Sequence, residues 1–205
     1  MVWKSERNEP SILPSWPSLK EDIDRVLWDE ATIQTRVREL GAQISRDYEA
    51  LLGDFLSENP PLVVGIFRGA IVFLADLMRA MPIPLECDYV QLYSYGKGSE
   101  AGEVQLLRDL GTPVAGRHVL LVEDIVDTGQ TLQFLCEHLE ARGAASLKIC
   151  ALIDKKPRRR VKIPLDYVGF PLEEDAFLVG YGLDYAERYR NLPYVAALKP
   201  EAISS

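Results

Sequence analysis

Apolar positions along this chain follow two rhythms. Ile33, Val37, Leu40, Ile44, Tyr48 and Leu51 recur at spacings of three and four, which predicts an amphipathic helix with Thr32 as its N-cap. Leu62 to Ile66 is a short continuous apolar run, and a helical pattern follows to about Met81. Leu85 to Tyr95 alternates and carries aromatics, so it predicts a strand, which resumes from Glu103 to Leu107. His118 to Val122 is again continuously apolar, the mark of a strand buried on both faces. A helix then runs to about Arg142 and stops at Gly143, a C′ glycine. Ser146 to Ile153, Asp166 to Phe170, Phe177 to Gly180 and Tyr194 to Leu198 complete the predicted strands. Strands alternating with helices predict an α/β fold, a doubly wound, mainly parallel sheet flanked by helices.

Pro10, Pro14 and Pro17 among serines and charges make residues 1–21 an irregular arm before a single domain over 22–205. Trp3 and Trp16 in that arm point to packing on its own domain or on another subunit. The segment Tyr95 to Gly102, with three glycines, reads as a mobile loop.

A length of 205 residues supports a substantial core. The net charge of −8 argues against a nucleic-acid-binding surface, so any phosphate must be met by local cations and backbone amides. Cys87, Cys136 and Cys150 are dispersed and odd in number, which suits reduced thiols in a cytoplasmic protein. They do not cluster with His118 or His138, so no zinc site is expected. No apolar stretch is long enough for a membrane helix, and the first residues lack the apolar core of a secretory signal.

The chemistry concentrates at Val119 to Leu132, Val-Leu-Leu-Val-Glu-Asp-Ile-Val-Asp-Thr-Gly-Gln-Thr-Leu. After the apolar run come Glu123, Asp124 and Asp127, then Gly129 between Thr128 and Thr131. A turn leading into a helix offers free backbone N–H groups and the positive end of the helix dipole, an anion site. The acids suit instead sugar hydroxyls, a magnesium ion or a proton to be moved. A phosphorylated sugar with free hydroxyls meets both demands. A solvated acidic turn accounts poorly for three acids, two threonines and a glycine packed so closely after a buried strand.

This segment closely resembles the phosphoribosyl pyrophosphate loop of the type I phosphoribosyltransferases. From about Asp22 to Pro200 the chain resembles the hypoxanthine–guanine phosphoribosyltransferases. Four separated segments agree in the family's order: Gly-Ile-Phe-Arg-Gly at 65–69, Ser94-Tyr95, the loop itself, and Phe-Leu-Val-Gly-Tyr-Gly-Leu-Asp-Tyr at 177–185 with Arg190. The resemblance implies a small hood built from N- and C-terminal segments over the main sheet. It also implies residue roles. Glu123 and Asp124 hold ribose hydroxyls and share with Asp184 in holding magnesium. Asp127 is the general acid/base beside the purine's five-membered ring. Thr128, Gly129, Gln130 and Thr131 cradle the 5′-phosphate. Arg68, Gly69 and Arg190 meet pyrophosphate, and Ser94 and Tyr95 begin the flexible loop. Lys155 donates to the oxygen at the purine six position, Phe177 stacks on the purine, and Leu178 offers backbone to its edge. Alone, Phe177 would read as core and Asp184 as a surface acid; the adjoining Gly-Tyr-Gly-Leu-Asp pattern reverses both.

The implied activity is magnesium-dependent transfer of 5-phosphoribosyl to hypoxanthine or guanine in purine salvage. The implied assembly is a homodimer or homotetramer, with no nucleic-acid or membrane partner. The alternatives are a transferase preferring xanthine or another base, and a non-catalytic regulator on the same fold. Walker and Rossmann glycine motifs are absent.

Two departures from the family pattern stand out. Phe67-Arg68-Gly69 replaces its common Leu-Lys-Gly, where the family holds a non-proline cis peptide. The stretch before Phe177 is one residue longer than usual, which predicts an altered mouth for the purine pocket. Of the basic run from Lys155 to Arg160, all but Lys155 reads as a solvated face.

Overall fold

The computed structural model describes residues 21–94 and 104–203. The arm before them, with Trp3 and Trp16, and the predicted loop from Tyr95 to Gly102 lie outside the described residues.

Six strands form the main sheet: β2 (Leu62–Phe67), β3 (Glu86–Ser94), β4 (Val104–Arg108), β5 (His118–Val126), β6 (Ser146–Lys155) and β7 (Tyr167–Leu172). Their order is β4-β3-β2-β5-β6-β7, parallel throughout except for the antiparallel β3–β4 edge pair. The central strands are apolar on both faces because helices cover both. Helices α1 (Glu30–Leu52) and α2 (Ile71–Arg79) pack with Val63, Leu120, Val122, Cys150 and Leu152 on one side. Helix α3 (Gln130–Ala141) packs with Leu62, Val64, Val119, Leu121 and Ala151 on the other. This is the doubly wound arrangement that the pattern predicts.

The expected helix positions Ile33, Val37, Leu40, Ile44 and Tyr48 are all buried in α1, whereas Leu51 is exposed. The cap is a correction. Asp29, not Thr32, is the N-cap: its Oδ1 accepts from the Thr32 backbone N–H at 2.8 Å. A carboxylate at that position also meets the positive end of the helix dipole, which a hydroxyl cannot. At the end of α3, Gly143 adopts the expected left-handed conformation, φ +82°, and its N–H returns to the Glu140 carbonyl at 2.9 Å.

A second sheet forms the hood. Strand β1 (Ile23–Trp28) pairs antiparallel with β9 (Val195–Leu198), which pairs antiparallel with β8 (Leu178–Val179). A short helix, α4 (Pro200–Ile203), ends the described chain. Strand β1 gives no regular alternation, and its pairing is broken by two register shifts. Trp28 ties the hood to the main sheet by stacking on Phe170, ring centroids 4.6 Å apart. The three cysteines are unpaired. No helix of the described residues is long and apolar enough to cross a membrane.

One polar network fixes the sheet edge beside the cleft. Asp88 accepts from the N–H groups of Tyr89, Gly111 and Thr112 at 2.8–3.0 Å and from Arg108 at 3.2 Å. The Arg108 guanidinium lies 3.6 Å over the Tyr89 ring, which stacks on Phe67 at 4.4 Å. Burial would raise the Asp88 carboxyl, but these donors outweigh it and hold it at about 2, below the ordinary 3.8. A depressed carboxyl stabilises the fold above its unfolded value and loses that contribution as pH falls through the folded one. Asp88→Asn should therefore cost about 2 kcal/mol in urea unfolding at pH 7. The deficit should shrink as pH drops from 4 toward 2; a deficit independent of pH would refute this account.

Candidate functional site

Strand β5 runs four residues beyond the predicted Val122, so Glu123 and Asp124 belong to the strand and both are buried. Burial pushes both carboxyls up. Glu123 is raised well above the ordinary range, first by desolvation and then by Asp124. Asp124 is raised less, because a hydrogen bond from Glu123, backbone N–H groups and Arg190 oppose its burial. Glu123 Oε2 is buried with no hydrogen-bond partner among the described residues, and so is Asp127 Oδ1. Buried polar atoms are normally paired, so these two oxygens are candidates to meet a ligand.

Beyond β5 the chain turns through Asp127, Thr128 and Gly129 into α3. Gly129 sits at the N-cap with φ +85°, a conformation glycine adopts without strain. A Cβ there would also meet the Val161 carbonyl at 3.2 Å. The turn is braced from behind. The N–H groups of Arg160 and Val161 both reach the Thr128 carbonyl at 3.0 Å, and Arg159 donates to the Val126 and Asp127 carbonyls.

The Phe67–Arg68 peptide is cis, as the resemblance implies. The next residue lies against Asp124 so closely that a Cβ on Gly69 would fall 1.9 Å from Asp124 Oδ2. On its other side the Gly69 carbonyl would stand 2.2 Å from a Cβ on Gly182. Only glycine fits at both places. Residues 180–192 form a tight coil in which Tyr181, Ala186, Glu187 and Tyr189 all have positive φ, a concentration typical of functional segments.

This coil presents Asp184, Glu187 and Arg190. Arg190 pairs with Asp184 at 2.8 Å and with Glu187 at 3.3 Å, while Asp184 Oδ2 accepts from the Glu187 N–H at 2.9 Å. Arg68 reaches Glu187 at 2.7 Å. Thus the expected magnesium ligand and one expected pyrophosphate cation pair with each other, and both expected arginines share Glu187.

A cleft of about 500 Å³ is lined by Arg68, Gly69, Asp124, Asp127, Lys155, Phe177, Leu178, Asp184 and Arg190 among others. A smaller adjoining cavity of about 170 Å³ is lined by Glu123, Thr131, Arg68 and Gly69. Thr128, Gly129 and Gln130 line neither; they form the turn and helix start immediately beyond Asp127. Ser94 ends β3 opposite Val104, and Tyr95 lies outside the described residues. Lys155 is buried at the end of β6, and Phe177 remains 39% exposed, unusual for a core phenylalanine but suited to a stacking surface. Its edge contact is Tyr185, ring centroids 5.3 Å apart.

Three charged residues in or beside the cleft escape the sequence reading: Arg158 and Glu187 line it, and Asp175 pairs with its Lys155. Arg158 Nη1 stands 3.5 Å from Asp127 Oδ2, and Arg158 Nε 3.5 Å from Asp175 Oδ2. Among the described residues no three His, Cys, Asp or Glu side chains gather into a metal-holding group. Magnesium needs no such cluster, because it takes one or two protein carboxylates and completes its shell with water and phosphate. Asp124 and Asp184 line the same cleft, and their chemistry is compatible with that ion.

A doubly wound sheet with a loop of acids, threonines and glycine at the mouth of a central strand, beneath a hood, defines a phosphoribosyltransferase. Residues 29–186 match the family described as "Phosphoribosyl transferase domain". The chain belongs to this family, and within it to the hypoxanthine–guanine phosphoribosyltransferases. It is 45% identical over 188 residues to the hypoxanthine-guanine phosphoribosyltransferase of Bacillus subtilis, covering 91% of this chain and 99% of that one. It is 42% identical over 187 residues to that of Streptococcus pyogenes, covering 91% and 99%. A crystal structure of a hypoxanthine phosphoribosyltransferase from Staphylococcus aureus superposes with a TM-score of 0.84 at 41% identity, covering 93% of this chain and all of the other.

Proposed function

We propose that this chain transfers the 5-phosphoribosyl group of phosphoribosyl pyrophosphate to hypoxanthine or guanine, giving IMP or GMP and pyrophosphate, in purine salvage. The observation that carries the reading is one cleft with two chemically different sets of lining residues. Lys155, Phe177 and Leu178 suit a base, Arg68, Asp184 and Arg190 suit pyrophosphate and its metal, and Asp127 lines the same cleft.

The base lies on Phe177, with its six-position oxygen on Lys155 and its edge on the Leu178 backbone. Thr128, Gly129, Gln130 and Thr131 hold the 5′-phosphate with the N–H groups at the start of α3. Glu123 and Asp124 hold the ribose hydroxyls. In the reaction the bond from the anomeric carbon to pyrophosphate breaks as one to the purine nitrogen forms. The proton on that nitrogen passes to Asp127, and pyrophosphate leaves. Arg68 and Arg190 offer planar guanidinium groups to the leaving oxygens once Glu187 and Asp184 release them. Asp184, with Glu123 and Asp124, would hold magnesium, which when bound neutralises charge on pyrophosphate. The segment from Ser94 and Tyr95 would cover the sugar and exclude water. The same reading takes the protein to be a cytoplasmic homodimer or homotetramer acting on small molecules.

Purified protein supplied with phosphoribosyl pyrophosphate, magnesium and either base should yield the nucleotide. Chelation should abolish the yield, added magnesium should restore it, and Asp184→Ala should raise the magnesium requirement. Full activity in excess chelator would rule out the metal's role; no nucleotide from either base would rule out the function.

A further inference from the structure

The turn between β7 and β8 carries three consecutive acids, and each is paired with a different cation. Glu173 pairs with Lys156 at 2.6 Å, and both oxygens of Glu174 take Arg25 Nη2 of the hood strand β1 at 2.6 Å. Asp175 takes Lys155 Nζ at 2.6 Å through Oδ1, and its Oδ2 faces Arg158 Nε at 3.5 Å. The first two pairs are exposed and stitch the turn to the main sheet and the hood. The third differs, because the Lys155 side chain is only 6% exposed while that of Asp175 is 55% exposed. Here a surface acid reaches inward to a buried ammonium in the wall of the cleft.

An ammonium has three N–H donors and no acceptor. Lys155 gives one to Asp175 and another to the Ala176 carbonyl at 2.8 Å. Both partners belong to the same turn, so the turn fixes the direction of the side chain and leaves one donor for a ligand. Asp175 also touches the cation, Arg158, that faces Asp127. Asp127, Arg158, Asp175 and Lys155 thus form a chain of alternating charges, in which Asp127, Arg158 and Lys155 line the cleft and Asp175 braces the two cations from outside that lining.

We propose that Asp175 is a positioning residue for base recognition: it holds Lys155, and beside it Arg158, in the orientation that receives the oxopurine. Lys155 also draws the Asp175 carboxyl below the usual carboxylate range. The inference rests on the function proposed above for Lys155. It predicts a deficit confined to the base. Phosphate, ribose and pyrophosphate are met by residues that Asp175 does not touch.

Asp175→Asn should raise KM for hypoxanthine and guanine about 3- to 10-fold, the scale expected for a half-exposed ion pair. KM for phosphoribosyl pyrophosphate should stay put, and Asp175→Glu should recover part of the loss. Arg25 and Lys156 still anchor the turn in these variants. An activity-independent measurement separates this inference from the proposed function. Limited acetylation read by mass spectrometry should modify Lys155 several-fold faster in Asp175→Ala, with Lys148 and Lys162 unchanged. Unaltered base KM in an active Asp175→Asn enzyme, or unaltered Lys155 labelling, would overturn the inference. A wild-type protein inactive on both bases would instead overturn the functional reading, and the labelling would still decide the contact.

Discussion

Replacing Asp127 by asparagine should lower turnover by roughly 10²–10⁴, the range usual for loss of a general base. The substitution keeps the size of the side chain. It spares the turn, whose backbone is held from behind by Arg159, Arg160 and Val161. What it removes is an acceptor for the purine proton. In the protein Oδ1 is buried with no partner among the described residues, and Oδ2 has only the distant Arg158 at 3.5 Å. A carboxylate so weakly engaged is available to a ligand. Binding of phosphoribosyl pyrophosphate, which the proposal gives to neighbouring groups, should be largely kept, and calorimetry on the variant can check it. Turnover equal to wild type would reject the role of Asp127. Loss of turnover together with loss of phosphoribosyl pyrophosphate binding would point to a collapsed loop instead.

How much of this was legible before the structure depended on sequence distance. The loop from Glu123 to Thr131 is contiguous, and its apolar strand and helix start are set by local pattern, so fold class and loop could be read together. The helices followed from spacing, and Gly143 from a conformation that glycine alone adopts freely. Strand β1 was not legible. Its six residues do not alternate, and its partner β9 lies near the other end of the chain. Thr32 is the expected cap because it stands directly before the periodic run. The actual helix begins a turn earlier, where the residues are mostly exposed and leave no periodic trace.

Arg158, Asp175 and Glu187 show a different limit. Arg158 sits in a basic run and Asp175 in an acidic one, and such runs usually face solvent. Their meaning lies in partners across space: Asp127 and Asp175 for Arg158, Lys155 for Asp175, Arg68 and Arg190 for Glu187. The longer turn before Phe177 was visible as a departure, and an altered mouth was the expectation. The charge pairing that the turn creates was not, since no spacing rule connects residue 175 to residue 155. The mutual pairing of Asp184 and Arg190 was hidden too. The resemblance gives them separate ligands, while the protein satisfies each with the other.

The largest discrimination should appear between adenine and hypoxanthine. Lys155 has only donors to offer, and two of the three are occupied by Asp175 and the Ala176 carbonyl. The remaining donor needs an acceptor. Hypoxanthine and guanine present a carbonyl oxygen at the six position; adenine presents an amine, also a donor. Adenine in the same pose would set two donors face to face beside a side chain that is almost fully buried. Water cannot readily enter to satisfy either group, so each keeps its desolvation penalty. A site built to bond one group rejects a mismatched analogue by about 10⁴ or more in kcat/KM. Adenine should therefore give nucleotide about 10⁴-fold less efficiently than hypoxanthine, while guanine should react well. Xanthine carries the same six-position oxygen, so Lys155 offers no ground to exclude it; only the edge near Leu178 and Asp184 can. Measured with the four bases at fixed phosphoribosyl pyrophosphate and magnesium, comparable efficiencies for adenine and hypoxanthine would remove Lys155 from base recognition. The role of Asp175 would fall with it.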